Sequence, residues 1–176
     1  MGQVRQEERR KVILGAAVDC FLQYGYAKTA MDDIAKKASI SRSLLYIQFK
    51  NKEDILVNLL QDLWQQQMEQ AAHILDREDS LQQKLIAIFD VLVIQPWEQF
   101  ANQDGQELLE EYVRLFPQFE EAYRKDFIEV LMTVLNDRQL AEVMMLSVKG
   151  LKMDHPTLKV LRERIQVLVT RLTSSD

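Results

Sequence analysis

The sequence predicts an all-α fold of about nine helices, divided into a three-helix head and a larger helical body. Three observations carry this. Only five Gly and three Pro interrupt 176 residues, and no long run alternates apolar with polar residues. Apolar residues recur three and four apart through most of the chain. Ser, Thr or Asn signals, several with Gln or Asp three residues on, stand just before those periodic stretches. The chain is 47% apolar and 28% charged, which suffices for a sizeable core and is unlike a disordered composition.

The first helix is expected from about Arg5 to Tyr24, with Ile13, Ala16, Ala17, Cys20, Phe21 and Tyr24 as its buried stripe. Gly25 ends it as a helix C-terminal glycine. Arg5, Arg9, Arg10 and Lys11 crowd its start, the wrong end for the helix dipole; they are either a solvated cluster or an arm for phosphates. Residues 29 to 52 then read as two short helices, a tight turn between them, and the start of a third. Thr29 is expected to cap the first, with Asp32 completing a capping-box-like pattern and Asp33 adding charge at the positive end. Met31, Ile34, Ala35 and Ala38 form its apolar face, and Ala38-Ser39-Ile40 is the turn. Ser41 caps the second helix, Arg42 to Phe49, which buries only Leu45 and Phe49. Two helices of about two turns with so short a connection make a helix-turn-helix.

Long helices follow. Residues 52 to 75 read as one helix, with Asn51 as cap and Leu56, Leu59, Leu60, Leu63, Trp64, Met68, Ala71, Ala72 and Leu75 as its apolar face. No linker separates head from body, so the expected domains are 1–52 and 53–176 and this helix is the mechanical joint. Ser80 with Gln83 opens the next helix, which Pro96 disturbs. Asn102-Gln103-Asp104-Gly105 reads as a loop, Leu108 to Phe116 as a helix stopped at Pro117, and Phe119 to Val134 as another, with Asn136 and Gln139 cap-like beyond it. The last two helices are expected at 138–152 and 156–172.

The second helix of the helix-turn-helix is too short and too narrowly apolar to be an ordinary core helix. Arg42, Ser43, Leu44, Ile47 and Gln48 must face outward, with at least one edge of Tyr46. Such a face suits a major groove: Arg can fork onto guanine, Gln can pair with adenine, and an aliphatic can meet a thymine methyl. Lys50 and Lys52 are placed for phosphates, and Thr29 completes the set expected at DNA.

Residues 12 to 60 also resemble the N-terminal domain of the TetR family of transcriptional regulators. The resemblance rests on F-L-x-Y-G-Y closing the first helix, then T-x-M-D-D-I-A-K-K-A, then S-x-S-x-L-Y-x-x-F-x-N-K-E-D. It implies phosphate contacts for Tyr46 and Lys52, and base or backbone contacts for Arg42, Ser43, Leu44 and Gln48. Three positions depart from the family pattern. Ser39 stands where the turn commonly carries glycine, which asks a non-glycine residue to take a left-handed conformation. Leu44 replaces a common Thr or Ser, and Ile47 replaces a common His or other polar or aromatic residue. These bear on the operator sequence and not on the fold.

Charge divides the chain in the same place. Residues 1–52 carry a net +5 and residues 53–176 a net −10, which together give the formal −5. The positive part is where phosphates must be met. No run of eighteen apolar residues is present and the N-terminus lacks an apolar signal core, so a cytoplasmic location is expected. The single Cys20 excludes an internal disulfide or a cysteine-rich metal site. His73 and His155 are far apart, and no phosphate loop, zinc motif or nucleophile elbow appears. No enzyme activity and no cofactor or metal are therefore expected.

Leu140, Val143, Ser147 and Gly150 follow 3-4-3 spacing, and Leu158, Leu161, Ile165, Leu168 and Leu172 a heptad-like seam. Val160 and Val167 form a second row beside that seam. A homodimer is expected through Val143, Ser147, Gly150, Leu158, Leu161, Ile165 and Leu168, and the family resemblance implies the same arrangement. Two heads would then meet a palindromic operator in double-stranded DNA. Trp64, Met68, Phe89, Trp97, Phe100, Tyr112 and Phe116 are the side chains from which an apolar effector pocket would be made, and equally a core. The resulting expectation is a ligand-responsive repressor; the alternative is a dimeric all-α interaction protein that has lost specific DNA binding.

Overall fold

The structure, a computed structural model, describes residues 2–174. In order the elements are α1 (Gly2–Tyr24), α2 (Met31–Lys37), α3 (Arg42–Gln48), α4 (Lys52–Leu75), α5 (Leu81–Phe89), a π-helical segment (Asp90–Ile94), α6 (Gln95–Phe100), α7 (Gln103–Leu115), α8 (Pro117–Leu135), α9 (Arg138–Lys152) and α10 (Leu158–Thr173). α5, the π segment and α6 abut, so the described residues hold nine helical rods and no strand. No helix among them is long and apolar enough to cross a membrane.

The chain divides into two compact units. One is Met1–Leu63 with Asn102–Pro117, the other Trp64–Ala101 with Gln118–Asp176. The cut lies inside α4 and not at the 52/53 boundary expected from charge and motif. α7, assigned to the body by its place in the sequence, belongs to the first unit because it packs on α1 and buries Leu108 and Tyr112.

In the first unit α1 also packs on α2, and α2 on α3. The buried stripe of α1 is Ile13, Leu14, Ala16, Ala17, Cys20 and Phe21. Tyr24, expected in that stripe, is 48% exposed; Tyr26 is buried instead, its ring centroid 5.2 Å from that of Phe21. Gly25 at φ +79° turns the chain out of α1, a conformation that costs glycine nothing. Arg10 forks onto Asp62 Oδ2 at 2.7 Å and Asn58 Oδ1 at 2.9 Å, so this member of the N-terminal basic cluster ties α1 to α4.

α2 ends in a Schellman motif. Ser39 takes φ +56°, the Ile40 N–H donates to Ala35 O at 3.0 Å, and the Ser39 N–H donates to Lys36 O at 3.1 Å. The left-handed serine that the missing glycine demands is thus present, and the turn closes. Asn51 caps α4 as expected, accepting from the Asp54 N–H at 2.8 Å.

The second unit has one core, in which α10 packs on α5, the π segment and α9. Ile88, Phe89, Leu92, Phe127, Leu131, Met144 and Leu161 lie at its centre. The π segment has a local cause. Pro96 has no N–H to give the Leu92 carbonyl four residues back; the Tyr123 hydroxyl donates to that carbonyl instead, at 3.1 Å. Burial pushes the Tyr123 phenol up to about 12, so it stays a donor. Ser80 and Gln83 make the reciprocal capping box read from the sequence. One expected break is absent and one expected cap is shifted by a residue. Asn102 to Gly105 is no loop: α7 starts at Gln103, with Asn102 accepting from the Gly105 N–H at 2.8 Å. Asp137, not Asn136, caps α9, because Asn136 is the left-handed residue that turns the chain, at φ +50°.

The residues expected at a dimer interface separate into two groups. Leu161 and Ile165 are buried in the unit's own core, and Leu158 and Leu168 pack against it. Ser147 is half-buried, its hydroxyl donating to Val143 O. Val143 and Gly150 are exposed, together with Leu146, Val160 and Val167. The second row of α10 is left outside, while the heptad seam turns inward except at its end, Leu172.

Candidate nucleic-acid interface

α3 is seven residues long and buries a single side chain, Leu45; Phe49, its C-cap, is buried just beyond. Ser41 caps its start, accepting from the Leu44 N–H at 3.2 Å. With Leu45 and Phe49 fixed inward, helix geometry turns the rest of the surface outward. Arg42, Ser43, Tyr46 and Ile47 are exposed, Ile47 to 74%, while Leu44 and Gln48 are half-buried. Lys50 follows on the surface, its backbone N–H donating to Asp54 Oδ2.

Arg42 does not hang free. Its Nη1 donates to Asp32 Oδ2 at 3.1 Å, and its guanidinium carbon lies 5.6 Å from the Tyr46 ring centroid. Tyr46 first, and Asp32 second, hold the guanidinium firmly in its charged form. A planar, charged fork beside Ser43, Tyr46 and a protruding aliphatic can hydrogen-bond base edges, meet a methyl group and approach phosphate.

Two residues expected at DNA turn inward. Thr29 is buried; its hydroxyl donates to Gly25 O at 2.8 Å and to Cys20 O at 3.2 Å, closing the α1–α2 connection. Nor does it cap α2: the N-cap is Ala30, whose N–H donates to the Asp33 carboxylate at 2.9 Å. Lys52 donates to the carbonyls of Tyr26, Ala27 and Thr29 at 2.6, 3.3 and 3.0 Å, and its ammonium lies 4.4 Å from the Tyr26 ring centroid. Three donors meet three carbonyls, so this lysine clamps the connection to the start of α4. Burial lowers its pKa below the ordinary lysine value.

Asp32, absent from the expected contact set, stands at the centre of the exposed cluster. Its signal was in the sequence, in the first turn of α2, but spacing alone reads such a residue as a cap. On the same unit, a cleft of about 400 Å³ is lined by Tyr26, Ala27, Glu107, Glu110, Glu111 and Arg114. Three carboxylates against one guanidinium make it unsuited to a nucleic-acid backbone.

The seven side chains expected around an effector fall into both units. Tyr112 and Phe116 belong to the first, with ring centroids 5.4 Å apart. The other five belong to the second. Phe89 is fully buried against Phe127, and Phe100 is buried. Trp64 donates its indole N–H to Asp126, Trp97 donates to Pro156 O, and Met68 packs against the core.

Residues 13–59 match the family described as bacterial regulatory proteins, tetR family. An uncharacterized HTH-type transcriptional regulator, YhgD of Bacillus subtilis, is 36% identical over 87 residues, 47% of this chain and 46% of that protein. The fatty acid metabolism regulator protein of the same organism is 32% identical over 76 residues, 43% of this chain and 39% of that protein. The match thus spans under half the length of these relatives, both of which are named as regulators. Among solved structures, the fatty acid degradation regulator FadR from Bacillus halodurans superposes with a TM-score of 0.67 at 18% identity, covering 94% of this chain and 95% of that one. That likeness concerns the fold and extends it to both units.

Proposed function

Because this chain belongs to the tetR family of bacterial regulatory proteins through its N-terminal domain, we propose that it is a repressor that binds a palindromic operator as a homodimer and is released by a mostly apolar small molecule. The observation that carries this is the exposed face of α3. Arg42, Ser43, Tyr46 and Ile47 project from a helix anchored by Leu45 and by Phe49 at its end. Arg42 and Ile47 read bases, and Ser43, Tyr46 and Lys50 meet the backbone. Thr29 and Lys52 act from inside, by holding the helix-turn-helix together.

The dimer face proposed here is the one the fold leaves uncovered: Val143, Leu146 and Gly150 on α9, and Val160 and Val167 on α10. A second copy supplies the second reading helix that a two-fold operator needs. The effector acts by favouring one spacing of the two reading helices through α4, which runs from the first unit into the second. A curated relative and a structural relative are named as regulators of fatty acid metabolism or degradation, so fatty-acyl compounds are the first class to try.

The test is selection of bound duplex from a random pool at near-physiological salt. The reading requires enrichment of a palindrome. Arg42→Ala should then relax preference at one base pair per half-site by ~1–3 kcal/mol and leave the others intact. Weak, sequence-blind binding that salt abolishes would favour an all-α interaction protein instead.

A further inference from the structure

We infer that Asp32 is a specificity-determining positioning residue, which holds the Arg42 guanidinium against the Tyr46 ring so that α3 meets one base with a fork already oriented. The inference rests on the DNA-binding reading above and adds to it a residue on the other helix of the motif.

Asp32 lies in the first turn of α2 and Arg42 is the first residue of α3. The Schellman turn at Ser39 brings them together. Asp32 Oδ2 accepts from Arg42 Nη1 at 3.1 Å, while Asp32 Oδ1 is shut away from solvent without a hydrogen bond. With Oδ1 shut in, the carboxylate offers one oxygen, and that oxygen faces Arg42. Tyr46, one turn along α3, supports the guanidinium from its flat side.

Other roles explain the position less well. The cap of α2 is supplied by Asp33, whose carboxylate accepts from the Ala30 N–H. An ion pair whose side chains are 63% and 47% exposed contributes little to stability. A negative charge on a surface that meets phosphates weakens sequence-blind binding. What the pair does accomplish is to restrain a long side chain before binding, which reduces the ordering cost of its contact. One of the five guanidinium donors faces Asp32, leaving enough for the bidentate contact with guanine O6 and N7.

The test compares the full chain with Asp32→Asn, Asp32→Glu and Arg42→Ala by selection from a random duplex pool. Binding to preferred and scrambled duplexes, and thermal melting, are measured beside it. Asp32→Asn should reduce preference at a single base pair per half-site by roughly tenfold. It should bind scrambled duplex no more weakly than the parent. Arg42→Ala should lose preference at that same base pair, and the double variant should lose no more than Arg42→Ala alone. Asp32→Glu should recover part of the preference, and it carries the test if Asp32→Asn melts early. The inference is overturned if Asp32→Asn leaves that preference intact, as a helix-end charge would. It is overturned equally if Asp32→Asn sharpens the preference, which would mean that Asp32 competes with DNA for Arg42. Failure of the parent chain to enrich any sequence would sink the DNA-binding reading itself, before any variant is compared.

Discussion

α3 and the α9–α10 pair both leave apolar side chains in water, and the surroundings of those side chains differ. On α3 the exposed aliphatic is Ile47, set among Arg42, Ser43, Tyr46 and Lys50. On α9 and α10 the exposed residues recur along the helix: Val143 at 50%, Leu146 at 60%, Val167 at 61%, with Gly150 between turns. A lone aliphatic inside a hydrogen-bonding face suits a surface that is itself mostly polar, such as a base edge with a methyl group. Apolar stripes on two consecutive helices suit a partner that is apolar over the same length. The same burial anomaly thus points to a nucleic acid in one place and to protein in the other.

The strongest way to break this contrast is to charge the stripes. Val143→Arg with Val167→Arg alters two positions that are at least half exposed, so the fold should survive. Sedimentation should show the mass halved, and operator affinity should drop by roughly a hundredfold or more, because the second half-site no longer binds intramolecularly. An unchanged mass would remove the stripes from the dimer reading.

Lys52→Ala sharpens the other half of the contrast and should have a smaller effect. Loss of the ammonium leaves three carbonyls of the α1–α2 connection without their shared donor, at a cost of about 2 kcal/mol. Binding to every duplex should weaken, while the salt dependence should keep its slope. A phosphate contact would show the opposite pattern, with the slope falling by about one. Both tryptophans lie in the second unit, so their fluorescence should change little where circular dichroism shows early melting.

Periodicity and caps made the helices legible, and the motif made the reading helix legible. Side-chain direction was less so. The heptad seam of α10 and its second row, Val160 and Val167, have similar spacing, and nothing local says which row meets the chain's own α5 and α9. The seam carries more apolar volume and went inward. The carbonyl partners of Lys52 were hidden for a comparable reason. A lysine beside a helix-turn-helix is placed for phosphate by its position along the chain. Its actual partners, the carbonyls of residues 26, 27 and 29, are more than twenty residues away and come near only when α1 turns at Gly25. Asp32 had two local readings, as cap and as partner of a residue ten positions on, and only the closed turn at Ser39 separates them.

The smallest effect expected concerns acid and the turn between α9 and α10. Arg164 forks onto Asp154 at 2.5 and 2.6 Å and donates also to Leu151 O at 2.8 Å, pinning a connection in which His155 takes φ +51°. The Arg164 guanidinium holds the Asp154 carboxyl down at about 2, against an ordinary 3.8. A folded-state value below the unfolded one means that the contribution is fully present above about 3.8 and is lost as pH falls through about 2. Acid titration followed by tryptophan fluorescence reads this unit alone, since Trp64 and Trp97 both belong to it. Across that window the parent chain should lose stability slightly faster than Asp154→Asn, and the two should converge near its lower end. Because the pair lies in the second unit, Asp154→Asn should leave the DNA preference set by α3 unchanged at neutral pH. A shift in that preference would mean that the α9–α10 turn is coupled to the reading helix, and the two regions could no longer be treated as separate devices.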